Sequence, residues 1–363
     1  MKKNKQKILI NGYFFVRNIT GIERYAFEIT RRLDQLCRPD ELAIILPGNF
    51  YKKNITMPAY KNIRVILFGK IIPHILWQML IVQFFLLTHR QYIILDFGNT
   101  CLPFTPGIVF LHDIYCELFP EDFTGFRDKI VRLYNRWQYR LIAKRAKKIV
   151  TVSNFSKDQI VRFIRANPDK ISVIYSSWSH FNNISADYSV YDEFPFLSNP
   201  FYFSLGSISK RKNLNWIIGY AGKHLDDLFV ISGMKQPTAA APHLTNPSTP
   251  NVIFLGFLDD SKIKALMEKC KAFILPSYYE GFGLTPMEAL SCGAKIVISN
   301  VSSLPEIYGN SAHYIDPFNT DINLEQLLLE PVGQPENILK KYSYDISSEK
   351  VYHLIKEVLG GEY

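Results

Sequence analysis

The stretch from Pro276 to Gly293, P-S-Y-Y-E-G-F-G-L-T-P-M-E-A-L-S-C-G, constrains this chain more than any other. Thr285 reads as a helix N-cap, Pro286 as the first helical residue, and Glu288 falls three positions after the cap. Gly293 stops the helix, and Ala294 to Ser299 (A-K-I-V-I-S) follows as a buried parallel strand. A helix start exposes backbone N–H groups and a partial positive charge, so it binds phosphate. Carboxylates accept hydrogen bonds from paired hydroxyls. Glu280 on the loop and Glu288 in the first turn flank this start, and Gly281 and Gly283 let backbone approach a ligand closely. Phosphate donors between two hydroxyl readers suit a nucleotide-sugar. The same spacing fits equally well a Glu288 that only completes a capping box and a Glu280 that is a solvated loop residue.

At 363 residues the chain is expected to form two domains, and 47% hydrophobic residues suffice for two cores. The start M-K-K-N-K-Q-K leads into a strand, I-L-I-N, with no cleavage site, so no signal peptide is expected. The five cysteines form no C-x-x-C pair, which fits free thiols in a reducing cytosol and no structural zinc. No metal cluster with recognisable spacing is present, so metal independence is expected. Gln236 to Pro250 is a Pro/Ala/Thr/Ser-rich loop.

Charge is divided along the chain. Residues 1–170 hold 28 Lys+Arg against 13 Asp+Glu, while residues 171–363 hold 14 against 20. Such asymmetry points the first half toward an anionic partner. Arg132, Arg136, Arg140, Lys144 and Lys148 recur every four residues, predicting a basic stripe on one helix, with Leu133, Trp137, Leu141 and Ile142 on other faces. The stripe fits a solvated face and an anionic lipid surface equally. Ile71 to Thr88 is very apolar but interrupted by Pro73, His74, Gln78 and Gln83, so it is read as a buried helix rather than a membrane span or a lipid-docking surface.

In the first half, Lys7 to Asn11 is a strand, followed by a loop and a helix from Gly21 with a capping box of Thr20 and Glu23. No G-x-G-x-x-G and no Walker A lysine follow, which argues against a dinucleotide oxidoreductase and an ATPase. Ile108 to His112 is a strand ending in His112, where α/β sheets bind ligands, although a lone histidine is usually structural. Phe201 to Asn213 (F-Y-F-S-L-G-S-I-S-K-R-K-N) gives a strand, a glycine turn and a cationic cluster suited to phosphate. It fits a lysine-rich surface turn as well. Asn251 to Leu258 is a further strand and turn.

Taken together these segments resemble the retaining GT-B glycosyltransferases of family 4 over nearly the whole chain. Pro276 to Gly293 is similar to their E-x7-E signature, H-D-I-Y-C-E-L-F-P-E-D-F to their H-D run, and L-G-S-I-S-K-R-K-N to their G-T-L-x-P-R-K-N motif. The resemblance implies an α/β fold of two facing Rossmann-like doubly wound domains with an interdomain cleft. It implies an acceptor-side domain at 1–176 joined by a C-terminal helix (346–363), a linker at 177–199 and a donor domain at 200–345. The roles it implies are His112 and Glu280 at the donor sugar, Lys212 on the diphosphate and Glu288 on the ribose. The backbone from Gly281 through Phe282, Gly283 and Leu284 to Thr285 would hold the diphosphate, with Gly21 beneath it, and Phe257 and Leu258 would read the base. Many relatives carry arginine where this chain has Ser207, so Arg211 is expected to supply that charge. The implied activity is retaining, metal-independent transfer of a hexose, of mannose or rhamnose type, from a nucleotide-diphosphate sugar. The acceptor would be a glycan on a lipid diphosphate carrier, on the cytoplasmic face of an anionic membrane, in surface polysaccharide synthesis. No cofactor and no nucleic-acid partner are expected. A nucleotide-sugar epimerase or a phosphorylase on the same fold is the alternative.

Overall fold

The computed structural model describes residues 6–50, 59–206, 209–233 and 249–360. The chain divides into two compact units: residues 1–176 with 344–363, and residues 177–343. The Pro/Ala/Thr/Ser-rich loop lies almost wholly outside the described residues.

The first unit is built on seven parallel strands: β1 (Lys7–Asn11), β2 (Leu42–Leu46), β3 (Arg64–Leu67), β4 (Tyr92–Asp96), β5 (Ile108–Phe110), β6 (Lys148–Thr151) and β7 (Ile171–Val173). Their order is β3-β2-β1-β4-β5-β6-β7. The central strands are continuous apolar runs, as in the fully buried LAIIL of β2, because helices cover both faces of a parallel sheet. The order reverses between β1 and β4, so ligands are expected above the carboxyl ends of those strands. The helix Gly21–Leu36 follows β1, and the Thr20 backbone N–H donates to Glu23 Oε2 at 3.1 Å, the glutamate's half of a capping box; the Thr20 hydroxyl also donates to that oxygen. The C-terminal helix Tyr344–Val358 packs on it, with Tyr344 against Tyr25 and Arg32 paired to Asp345.

The second unit has six parallel strands: β8 (Phe201–Leu205), β9 (Leu228–Ser232), β10 (Val252–Gly256), β11 (Ala272–Leu275), β12 (Ile296–Ser299) and β13 (His313–Ile315). They are ordered β10-β9-β8-β11-β12-β13, which puts this sheet's reversal between β8 and β11. The stretch 177–199 carries short helical turns, Ser179–Asn183, Val190–Glu193 and Pro195–Ser198, and clusters with the second unit.

Two expectations about the first unit need correction. The basic stripe is not one face of one helix. The helix is Phe126–Arg145, and Lys148 already opens β6, where it pairs with Glu357 at 2.6 Å. A four-residue step advances 400°, so such a stripe drifts about 40° per step around a helix of 3.6 residues per turn. Arg132 and Arg136 have thereby turned inward: Arg132 Nε donates to the Cys116 carbonyl, and Arg136 pairs with Glu117. The apolar segment is only half buried. It runs from His74–Leu76 through a π-helical Trp77–Val82 to Gln83–Thr88, with Trp77, Val82, Phe85 and Leu86 in the core. Leu76, Leu80, Phe84 and Leu87 are exposed on its other side. No helix among the described residues is long and apolar enough to cross a membrane.

Candidate active site

In the second unit the cationic cluster after β8 and the glycine loop after β11 meet across the point where the strand order reverses. Lys210–Lys212 forms a single tight turn that ends at Asn213 in the left-handed region, φ 53°. The Asn213 amide donates to the Pro276 and Pro317 carbonyls at 3.0 and 2.7 Å, and the Tyr278 N–H donates to the Arg211 carbonyl at 3.0 Å. These bonds fasten one loop to the other and bring Lys212 Nζ to 2.7 Å from Glu280 Oε1. Both side chains are mostly buried. Burial alone would raise the Glu280 pKa, but the charges of Lys212 and Arg211 outweigh it and hold the carboxyl below its ordinary range. The Glu280 backbone is fixed on both sides, its N–H donating to Ser302 Oγ at 3.1 Å and its carbonyl accepting from Ser303 Oγ at 2.9 Å.

The helix that follows starts earlier than the sequence predicts. It spans Leu284–Ser291 with Gly283 at the N-cap, so Thr285 is not the cap and Glu288 completes no capping box. Gly283 has φ +82°, and a Cβ there would sit 2.5 Å from Leu304 Cδ2, so this entry to the helix requires glycine. The Tyr308 hydroxyl donates to the Gly283 carbonyl and holds the turn. The Leu284 and Thr285 N–H groups have no acceptor within the helix, while the proline at 286 removes the next donor without loss. Thr285 Oγ1 is buried and finds no hydrogen-bond partner.

Glu288 is instead held by a residue the sequence reading missed. His180, in the turn Ser179–Asn183, places Nε2 3.1 Å from Glu288 Oε1, and both side chains are buried. An ionised carboxylate only accepts, so Nε2 carries the proton. No motif marks His180, because its partner lies 108 positions away and only the fold brings the two together. Phe282 points inward and packs edge-on against Tyr342 at 5.5 Å. Phe257 and Leu258 follow β10 at the sheet edge, with Phe257 largely exposed. Ser207 lies outside the described residues.

In the first unit His112 lies two residues beyond β5 and is buried. Its Nε2 donates to the Phe97 carbonyl at 3.0 Å, a partner that can only accept and so sets the tautomer. Its backbone N–H donates to Asn99 Oδ1 at 3.0 Å, and Tyr25 meets its ring edge-on at 5.6 Å. Burial lowers the His112 pKa, so the ring is neutral at pH 7. Gly21 opens the helix that carries Tyr25. At the reversal between β1 and β4, the buried Asp96 accepts from Asn11 Nδ2 at 2.6 Å, Gln78 Nε2 at 2.8 Å and the Gly98 N–H at 2.8 Å. Neutral donors and burial surround this carboxyl, and burial raises its pKa. The sequence reading passed over this network as well.

Residues 19–177 match the pattern of the Glycosyltransferase Family 4 domain, and residues 193–336 that of Glycosyl transferases group 1. The chain is 25% identical over 330 residues to O-antigen chain mannosyltransferase B of Escherichia coli, covering 84% of each protein. Anabaena HepE in complex with UDP-glucose superposes with a TM-score of 0.70 at 18% identity, covering 97% of this chain and 99% of that one. WaaG, a glycosyltransferase involved in lipopolysaccharide biosynthesis, superposes with a TM-score of 0.66 at 14% identity, covering 98% and 100%. Two parallel-sheet, Rossmann-like units and these two domain matches make the chain a member of the glycosyltransferases with the GT-B fold.

Proposed function

We propose that this protein transfers a hexose, of mannose or rhamnose type, from a nucleotide-diphosphate sugar to a glycan acceptor on a lipid diphosphate carrier, with retention of anomeric configuration and without a metal. The observation that carries the reading is the Lys212–Glu280 pair astride the strand reversal, next to a glycine-capped helix start. The pair holds two groups in place for one ligand. A donor diphosphate takes the Lys212 ammonium, and the released Glu280 carboxylate accepts from the sugar hydroxyls. Arg211 and the N–H groups from Gly281 to Thr285 add positive potential where the leaving phosphate gathers charge. Glu288, oriented by His180, accepts from the ribose hydroxyls. Backbone near Phe257 and Leu258 reads the base. His112 approaches the donor sugar with Gly21 close to the phosphate, and its neutral ring is fixed as a hydrogen-bonding group.

The choice of sugar leans on the resemblance to a mannosyltransferase of O-antigen chains, and the nucleotide-sugar donor on the UDP-glucose complex of HepE. Such an acceptor is held at the inner face of an anionic membrane, and the +15 net charge of residues 1–170 (28 Lys+Arg against 13 Asp+Glu) suits that surface. Supplying GDP-mannose, UDP-glucose or dTDP-rhamnose with a lipid-linked glycan, and reading the one-bond C1–H1 coupling of the product's anomeric centre by NMR, tests the proposal. The donor's own anomeric configuration is expected in the product; the opposite configuration would rule out retention.

A further inference from the structure

The helix Phe126–Arg145 carries a stripe different from the one its basic residues suggest. Phe126, Ile130, Leu133, Trp137, Arg140 and Lys144 follow one another at steps of three or four residues, within about 40° of one line along the helix. The first four are apolar yet 81, 53, 69 and 43% exposed. The last two are exposed cations. One face thus changes from apolar to basic along its length.

The basic end opens into a cavity of about 430 Å³ between this helix and the end of the helix Asn154–Ile164. Arg136, Arg140, Lys144 and Arg165 line it, against a single carboxylate, Glu117. Both Glu117 oxygens are engaged by Arg136, at 2.7 and 3.3 Å. Among the described residues, Arg140, Lys144 and Arg165 make no hydrogen bond or ion pair with the protein. Arg165 is in the left-handed conformation, φ 57°, so the chain leaves the helix at this residue and its side chain lines the cavity. The half-exposed ring of Phe163 gives the cavity an apolar edge. Three cations without a carboxylate partner around one cavity make it attractive to an anion, and planar guanidinium groups suit phosphate oxygens in particular.

We infer that this cavity binds the phosphate group of a membrane lipid, with Phe126, Ile130, Leu133 and Trp137 seated among the lipid chains beside it. The occupant follows from charge and from the stripe: a free phosphate would use the cations but not the four exposed apolar side chains. The inference deepens the membrane part of the proposed function. It is measured without donor or acceptor, so its failure and the failure of the transfer reading are distinguishable.

The test compares wild type, R140Q/K144Q/R165Q and F126S/L133S/W137S on phosphatidylglycerol and on phosphatidylcholine vesicles. Calorimetry with inorganic pyrophosphate runs in parallel, in a Lys212→Ala background that disables the donor site. Wild type is expected to prefer phosphatidylglycerol. The charge variant is expected to bind it on the order of 100-fold more weakly and to lose pyrophosphate, with an unchanged melting temperature. The apolar variant is expected to lose vesicles but keep pyrophosphate. Equal vesicle binding by wild type and the charge variant would overturn the inference. Pyrophosphate binding that needs the cations, without any preference for phosphatidylglycerol, would overturn the lipid as its source.

Discussion

Lys212→Ala is the sharpest perturbation of the candidate site, because the structure fixes what happens to both partners. The substitution strips the cation from a pair whose side chains are 15% and 8% exposed. Removing one partner of a buried pair costs roughly 3–5 kcal/mol, and Arg211, which still faces Glu280, places the loss toward about 3 kcal/mol at pH 7. The pH dependence then changes sign. In the wild type Glu280 has a lowered pKa, so its contribution is complete above the ordinary carboxylate range and is lost as pH falls through the folded value below 4.5. Without Lys212, burial dominates and the pKa moves up, so the variant recovers stability as acid protonates Glu280. The gap in melting temperature between the two proteins is therefore widest near neutrality and narrows as pH falls. Transfer should fall by on the order of 100-fold or more in kcat/KM, about 2.7 kcal/mol or more, because the diphosphate has lost its charge partner. Adding Glu280→Gln to Lys212→Ala removes the orphaned charge and should restore stability without restoring transfer. Near-normal transfer by a folded Lys212→Ala protein, measured by nucleoside diphosphate release, would refute the reasoning.

The two glutamates separate by ligand: calorimetry should show Glu288→Gln weakening both free nucleotide and nucleotide-sugar, and Glu280→Gln weakening only the nucleotide-sugar. Equal loss of free nucleotide in both variants would contradict these roles. Gly283→Ala forces a left-handed residue and a clash with Leu304, so chemical denaturation should show roughly 1–3 kcal/mol of lost stability, together with weaker donor binding; an unchanged midpoint would count against the required glycine. Burial lowers the His74 pKa to about 4, so its contribution is complete above the unfolded value of 6.5 and disappears as pH falls toward 4. His74→Gln should flatten that part of the pH–melting curve, and an unaltered curve would mean His74 is not responsible.

The elements that form from local patterns were legible in the sequence. The apolar runs of β1, β8 and β12 and the Thr20–Glu23 cap on Gly21–Leu36 follow from neighbours a few residues apart. What escaped depends on contacts across the chain. The partner of Glu288 is His180, supplied by a short turn with no pattern of its own. Asp96, Asn11 and Gln78 meet only because β4 pairs with β1, and nothing in the order of the residues announces that. The helix Leu284–Ser291 begins before the threonine that looks like its cap, because positive φ at Gly283 and the Tyr308 hydroxyl set its entry. The basic residues of Phe126–Arg145 look equivalent at four-residue spacing, but the drift around the helix turns Arg132 and Arg136 inward and leaves Arg140 and Lys144 outside.

The most direct measurement is the melting temperature of wild type and Lys212→Ala with GDP, UDP and dTDP at millimolar concentration. One of the three nucleotides is expected to raise the wild-type midpoint, by an amount corresponding to about 2.7 kcal/mol at a hundredfold excess over Kd. The same nucleotide should do little for Lys212→Ala, because the diphosphate has lost its cation. No shift with any of the three, or equal shifts in both proteins, would contradict a donor site built on Lys212 and Glu280.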